Sequence, residues 1–225
     1  TSGLQTDEQC PTGKVTIHLK EGEPAYDIVA PCAYDRIQPV LPTLACNILY
    51  HGTLALRDPV SRNALKKLLA LDPEMVFIDV NLRSPWWEKP DVLEQLNQAH
   101  WVKLNAQELQ LLSSGDADKR DKPDELIDRH QLQGLILTHG DAGAEVFTSN
   151  KEHFEIAPTR GAQVVDTVGA GDAFASVVLM GLAYDWPLAT TLERAQSFAS
   201  SLVEQRGATV NNPGYYKAFI YNWRQ

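Results

Sequence analysis

The sequence predicts an α/β fold: a mostly parallel central sheet flanked by helices, with a small β hairpin ahead of it. Three observations predict it. From Tyr34 onward, short apolar runs alternate with longer amphipathic segments, the rhythm of βα units. Those runs carry enough β-branched and aromatic residues to read as strands buried on both faces. Before them, two short alternating segments flank a turn containing Gly and Pro, which is a hairpin signature. At 225 residues the chain exceeds the roughly 150 of a typical domain, so one large domain with a small appendage is expected. Residues 1–33 would be linker and hairpin, and residues 34–225 the α/β body.

The hairpin strands are Val15 to Leu19 and Ala25 to Val29, around Glu21-Gly22-Glu23-Pro24. The buried strands are Asn47 to Tyr50, Met75 to Val80, Trp101 to Leu104 and Leu135 to Thr138. Asp58 to Leu71 opens with Asp-Pro, a favoured N-cap and first-turn pair, and spaces Leu65, Leu68 and Leu69 along one helical face. Asp91 to Ala99, Ala106 to Ser113 and Pro123 to His130 read as further helices. Right-handed crossovers place the strand C-terminal ends along one edge, where open α/β sheets bind ligands. Those ends carry Asp79-Val80-Asn81, Leu104-Asn105 and Thr138-His139-Gly140. Ala144 to Thr148 and His153 to Ala157 read as an antiparallel extension. An apolar helix from Ala173 to Ala183 follows, then a long one from Pro187 to about Gln205 that ends near Gly207.

Composition narrows the function. With 44% hydrophobic and 22% charged residues the chain is globular in type, and its net charge is −9. So acidic a body is a poor binder of nucleic acid or of an anionic membrane. No window approaches the roughly 18 apolar residues that span a bilayer, and no basic-then-apolar segment opens the chain, so a cytoplasmic location is expected. Cys10, Cys32 and Cys46 form an odd set without CxxC spacing, which reads as free thiols rather than a disulfide framework or a zinc site. No GxGxxG opens a βαβ unit with an acidic residue following, which excludes a dinucleotide-binding dehydrogenase.

Gly169-Ala170-Gly171-Asp172 opens a helix with small residues, so backbone N–H groups can point outward unobstructed at the positive end of the helix dipole. Asp172 then has two readings: a capping residue beside a tight turn, or a base held beside an anion cradle. Asn105 and Glu108, three residues apart at a strand-to-helix junction, also have two: a reciprocal capping pair, or a carboxylate and amide turned toward a ligand. Asp79, Asn81 and Arg83 alternate at a buried strand end, where Arg83 either pairs with Asp79 or points into the cleft. Trp86-Trp87 reads as a packed loop anchor, and His139 as a satisfied histidine at a strand end.

The string Asp166-Thr167-Val168-Gly169-Ala170-Gly171-Asp172-Ala173-Phe174 closely resembles the DTxGAGDxF signature of the ribokinase-like, or phosphofructokinase-B type, carbohydrate kinases. Five further segments resemble the family in family order: Pro11-Thr12-Gly13, Asp79-Val80-Asn81-Leu82-Arg83, Asn105-Ala106-Gln107-Glu108, Thr138-His139-Gly140 with Gly143-Ala144, and Arg206-Gly207-Ala208. The resemblance implies a ribokinase-like fold and transfer of the ATP γ-phosphate to a sugar hydroxyl, fructose foremost. Asp172 would take the proton while the amides of Gly169, Ala170, Gly171 and Asp172 cradle the charge. It also implies that Asn105 and Glu108 support magnesium through its water shell, and that Thr138, Gly140 and Gly143 lie along the nucleotide phosphates and ribose. Arg83 would lie near the sugar or the transferring phosphate. Ser200 stands where many members place an Asn beside adenine. Asp166, Val168, Gly207 and Asn211 match the region that holds a monovalent cation, potassium, in some relatives.

The hairpin corresponds to part of the family's lid, which implies a homodimer paired through it. Thr1-Ser2-Gly3-Leu4 resembles the linker that follows the family's first strand, lid strands and Gly-Gly helix, so the sugar-gripping N-terminal portion is expected to be absent. Two further readings therefore stand beside a fructokinase. One is another sugar kinase, such as a 2-keto-3-deoxygluconate kinase. The other is an inactive remnant that binds only a nucleotide or a partner.

Overall fold

Alternation in the first segment produces the expected hairpin. Strands β1 (Val15–Lys20) and β2 (Glu23–Ile28) pair antiparallel, with Val15 opposite Ile28 and Lys20 opposite Glu23. The computed structural model describes residues 3–20, 23–40, 47–113, 122–158 and 163–223. Glu21 and Gly22 of the expected turn, Cys46, and Thr1 and Ser2 of the expected linker lie outside them. Cys10 and Cys32 are free thiols, as their spacing implied. The chain divides into two units, Thr1–Ala99 and His100–Gln225.

In the first unit, β3 (Ile48–Gly52) and β4 (Met75–Asp79) run parallel, joined through α1 (Pro59–Leu69). Asp58 caps α1, its carboxylate accepting from Val60 N–H at 2.8 Å, with Pro59 at the first helical position. Val76, Phe77 and Ile78 of β4 are buried, the pattern of a strand covered on both faces. Helix α2 (Lys89–Leu96) begins two residues earlier than the apolar pattern alone suggests, because Pro90 occupies the start of the helix, where a missing N–H costs nothing. Arg57 makes two 2.7 Å bonds to the Asp35 carboxylate, and its guanidinium lies 4.6 Å from the centroid of Trp86. Trp86 is thus packed into the loop, as its size suggested.

The second unit is built on β5 (Trp101–Asn105) parallel to β6 (Gly134–Thr138), extended antiparallel by β7 (Ala144–Thr148) and β8 (His153–Ile156). Helices α3 (Ala106–Leu112) and α4 (Lys122–His130) lie between β5 and β6 in the chain. Val102, Leu104, Leu135, Ile136 and Val146 are almost wholly buried. After the sheet come α5 (Ala170–Ala183) and α6 (Leu188–Leu202), which bury Phe174, Val177 and Val178 on one and Leu192, Ala195 and Leu202 on the other.

A further helix, α7 (Pro213–Trp223), has no counterpart in the sequence reading. Its Gly214-Tyr215-Tyr216 start is poor in strong helix formers, so propensity does not announce it. Packing does: the Phe198 ring meets Phe219 edge-on at 5.1 Å and Trp223 at 6.2 Å.

Candidate active site

The start of α5 is shaped by what its residues lack. Gly169 is the N-cap, at φ +84°, and makes no side-chain cap bond. A Cβ built there would stand 2.7 Å from Cα and Cβ of Ala208, so a side chain is excluded by conformation and by space. This left-handed glycine lets α5 begin three residues before its apolar pattern does, which places Asp172 at the third helical position. Ala170 N–H donates to Thr167 O at 3.2 Å and Ala173 N–H to Gly169 O at 2.8 Å. The amides of Gly171 and Asp172 are then the donors that this helix end offers outward, at its positive pole. The Asp172 side chain is exposed on the same turn.

Asp166 fastens that turn to the segment after α6. Its two carboxylate oxygens accept from Val168 N–H at 3.0 Å and from Gly207 N–H at 2.9 Å. Those backbone bonds, Val168 first and Gly207 second, hold its carboxyl below the ordinary 3.8. Asp166, Val168 and Gly207 are therefore gathered into one knot, while Asn211 is exposed further along the same segment.

One residue of this site was passed over in the sequence. Lys103, in the middle of β5, is only 8% exposed, and a Cβ built on Gly171 would stand 3.4 Å from its Nζ. The ammonium lies beside the helix start. The signal was a single Lys inside the apolar run Trp101 to Leu104, because a charge is carried into a core only where it is paired or used.

At the end of the same strand, Asn105 caps α3. Its Oδ1 accepts from Glu108 N–H at 2.9 Å, and Glu108 Oε2 accepts from Asn105 N–H at 2.9 Å. The capping pair read from the spacing is thus present, with Glu108 buried. Lys103 and Asn105 are two residues apart and so project to one face of the sheet. Asn105 stands opposite Thr138 in register, and Thr138 Oγ1 donates to Leu104 O at 3.3 Å. Gly140 and Gly143, at φ +62° and +99°, shape the turn that follows, where His139 N–H donates to Gly143 O at 2.9 Å. The His139 ring is satisfied by Glu145 at 2.7 Å.

Ser200 is buried in α6, where its Oγ accepts from Gln196 Nε2 at 3.0 Å. Arg83 belongs to the first unit and is exposed. In that unit Tyr50 donates its hydroxyl to Asp79 at 3.3 Å, and Thr53 Oγ1 donates to Asn81 O at 3.2 Å. The second unit therefore joins a helix-start anion cradle, an adjacent carboxylate, a buried ammonium and a capped strand end. Such a set can hold a multiply charged phosphate and accept a proton beside it.

Comparisons with known proteins agree with that chemistry. The pattern of the pfkB family carbohydrate kinase matches residues 1–214. Fructokinase-2 of Zea mays is 34% identical over 147 residues, which are 61% of this chain and 43% of the relative. The chain spans about half the length of the first curated relatives it matches. Among solved structures, aminoimidazole riboside kinase from Salmonella enterica, complexed with aminoimidazole riboside and an ATP analog, superposes with a TM-score of 0.78 at 26% identity. That match covers 98% of this chain and 77% of the other. Fructokinase from Vibrio cholerae O395, bound to fructose, ADP and calcium ion, gives a TM-score of 0.71 at 25% identity, covering 95% and 74%. The mostly parallel α/β fold with flanking helices is the ribokinase-like one that the motifs implied. Among the described residues no helix is long and apolar enough to cross a membrane.

Proposed function

The chain belongs to the pfkB family of carbohydrate kinases, and from that premise we propose that it is an ATP-dependent, fructokinase-like sugar kinase. The observation that carries this is the uncapped start of α5, with Asp172 on its first turn and the Lys103 ammonium beside Gly171. In the proposed reaction a sugar hydroxyl oxygen forms a bond to the γ-phosphorus, the bond to the β,γ-bridging oxygen breaks, and ADP leaves. The hydroxyl proton passes to the Asp172 carboxylate. Asp172 brings a carboxylate, a weak base, to that point. That suffices, because the transition state of phosphoryl transfer is loose and rich in charge, so positioning and the amides of Gly171 and Asp172 matter more than basicity.

Lys103 is proposed to face the phosphates from the strand side. Thr138, Gly140 and Gly143 would line the nucleotide, Ser200 the adenine side, and Arg83 the sugar side. Glu108 already accepts the N-cap amide of its own helix, so it fits magnesium held through its waters rather than directly. Magnesium would supply charge neutralisation at the phosphates. The region of Asp166, Val168, Gly207 and Asn211 is proposed as the place of a potassium ion. The hairpin is proposed to serve as lid and dimer contact, in a cytoplasmic enzyme.

The riboside bound to the Salmonella enterica neighbour supports a second acceptor class, ribosides. An ADP-release assay across fructose, aminoimidazole riboside and 2-keto-3-deoxygluconate, with Asp172→Asn alongside, tests both. Turnover on one acceptor that falls roughly 10²- to 10⁴-fold in Asp172→Asn, with ATP binding kept, is the expected result. ATP binding without turnover on any acceptor would favour the remnant reading instead.

A further inference from the structure

Away from the cradle, the antiparallel extension carries a cluster that the proposed reaction does not use. β7 and β8 pair so that Glu145 stands directly opposite Glu155, and Phe147 opposite His153. Like charges in direct cross-strand register repel, an arrangement that needs something to offset it. His153 Nε2 lies 2.9 Å from one oxygen of Glu145, and His139 Nε2 lies 2.7 Å from the other. Phe147 stacks on the His153 ring, with centroids 4.5 Å apart and planes 15° apart, which fixes the aim of that ring. Ligand atoms of Glu145, His153 and Glu155 lie within 4.8 Å of one another. The cluster opens on a cavity of about 650 Å³ that Lys122 also lines.

We propose that Glu145, His153 and Glu155 bind one divalent transition-metal ion of the zinc, cobalt or nickel class, with His139 holding Glu145 in position. One imidazole nitrogen and two carboxylate oxygens suit a borderline ion, and three protein ligands leave a position for water. Magnesium, which prefers six oxygens in near-ideal octahedral geometry, is poorly served by this set. On binding, the His153 Nε2 lone pair turns to the metal and the ring carries its proton on Nδ1 instead. The ion ties the edge strand β8 to β7 and cancels the repulsion between Glu145 and Glu155.

The test is a titration of the purified protein with Co²⁺, without nucleotide or magnesium, followed by visible absorption and by melting temperature, with Zn²⁺ as competitor. One ion per chain is expected, with the intense bands of a four-coordinate site, displacement by Zn²⁺, and a melting temperature that rises with metal concentration. Glu145→Gln, Glu155→Gln and His153→Ala should each abolish the bands, while His139→Gln weakens binding roughly 10- to 100-fold. Glu155→Gln relieves the repulsion, so its metal-free melting temperature should hold or rise, which separates lost binding from lost folding. Asp172→Asn should keep the bands, which separates this site from the cradle. Absence of the bands, or their persistence in all three ligand variants, would overturn the proposal and leave the cluster a hydrogen-bonded surface network.

Discussion

Two helices of the second unit start in opposite ways. At α3 the side chains of Asn105 and Glu108 satisfy each other's backbone amides, so the helix end is closed by its own residues. At α5 the N-cap is Gly169, with no side chain to offer, and the amides of Gly171 and Asp172 are left for something else. Glycine at an N-cap costs only about a few tenths of a kcal/mol relative to Asn or Asp, so α5 tolerates an end with no side-chain cap. One helix start is thus closed by its own side chains and the other is left without a side-chain cap.

The comparison breaks most readily at Lys103, whose ammonium lies beside the open end. Lys103→Met should weaken ATP binding roughly 10- to 100-fold, the scale of about 1.5–3 kcal/mol for a hydrogen bond to a charged group. The affinity of a fluorescent ATP analogue would show it. An unchanged affinity would place the ammonium outside the phosphate site.

Gly169→Ala attacks the open end through its backbone. A side chain at φ +84° costs roughly 1–2 kcal/mol, and the approach of Ala208 at 2.7 Å adds to it. Urea denaturation should register at least that loss, with turnover falling as the cradle shifts. A variant as stable as the parent would show that the turn can reorganise, and that the glycine is not what holds the end open.

How far the sequence carried these conclusions differs from element to element. Strands such as Met75–Asp79 and Trp101–Asn105 were legible because burial on both faces leaves a run of apolar residues. Their exact ends were not: the run Met75 to Val80 goes one residue past the end of β4 at Asp79, and Trp101 to Leu104 stops one short of Asn105, which belongs to β5 by hydrogen bonding rather than by polarity. Helix α7 was illegible because its stability comes from the ring of Phe198, a tertiary partner that no local pattern encodes. For Asn105 and Glu108 the sequence left capping and ligand support open, and the reciprocal bonds now establish the first. The place of Lys103 was not legible, because it depends on tertiary packing that brings β5 beside the start of α5.

The closed end offers a sharper version of the contrast. Asn105→Ala removes the acceptor for Glu108 N–H and should cost about 0.5–2 kcal/mol of stability, while Asn105→Asp, which restores an acceptor, should cost little. Thermal melts of both variants give the answer. If Asn105→Ala lowered ATP affinity without lowering stability, the cap at α3 would have to be reassigned to the ligand, and the two helix starts would no longer differ in kind.

The smallest effect is expected at the knot that secures the open end. The carboxyl of Asp166 is held below its ordinary 3.8 by the amides of Val168 and Gly207, so the folded protein binds this proton less readily than the unfolded chain does. Its contribution is therefore complete above the ordinary value and fades as pH falls through the lowered one. The melting temperature of Asp166→Asn should lie below that of the parent by a constant margin between about pH 7 and about pH 5, and the margin should close as the pH passes below 3.8. A margin that persisted in acid would mean that the knot works through shape alone. One that closed as described would show that charge on Asp166 holds the turn in which Gly169 keeps its helix uncapped.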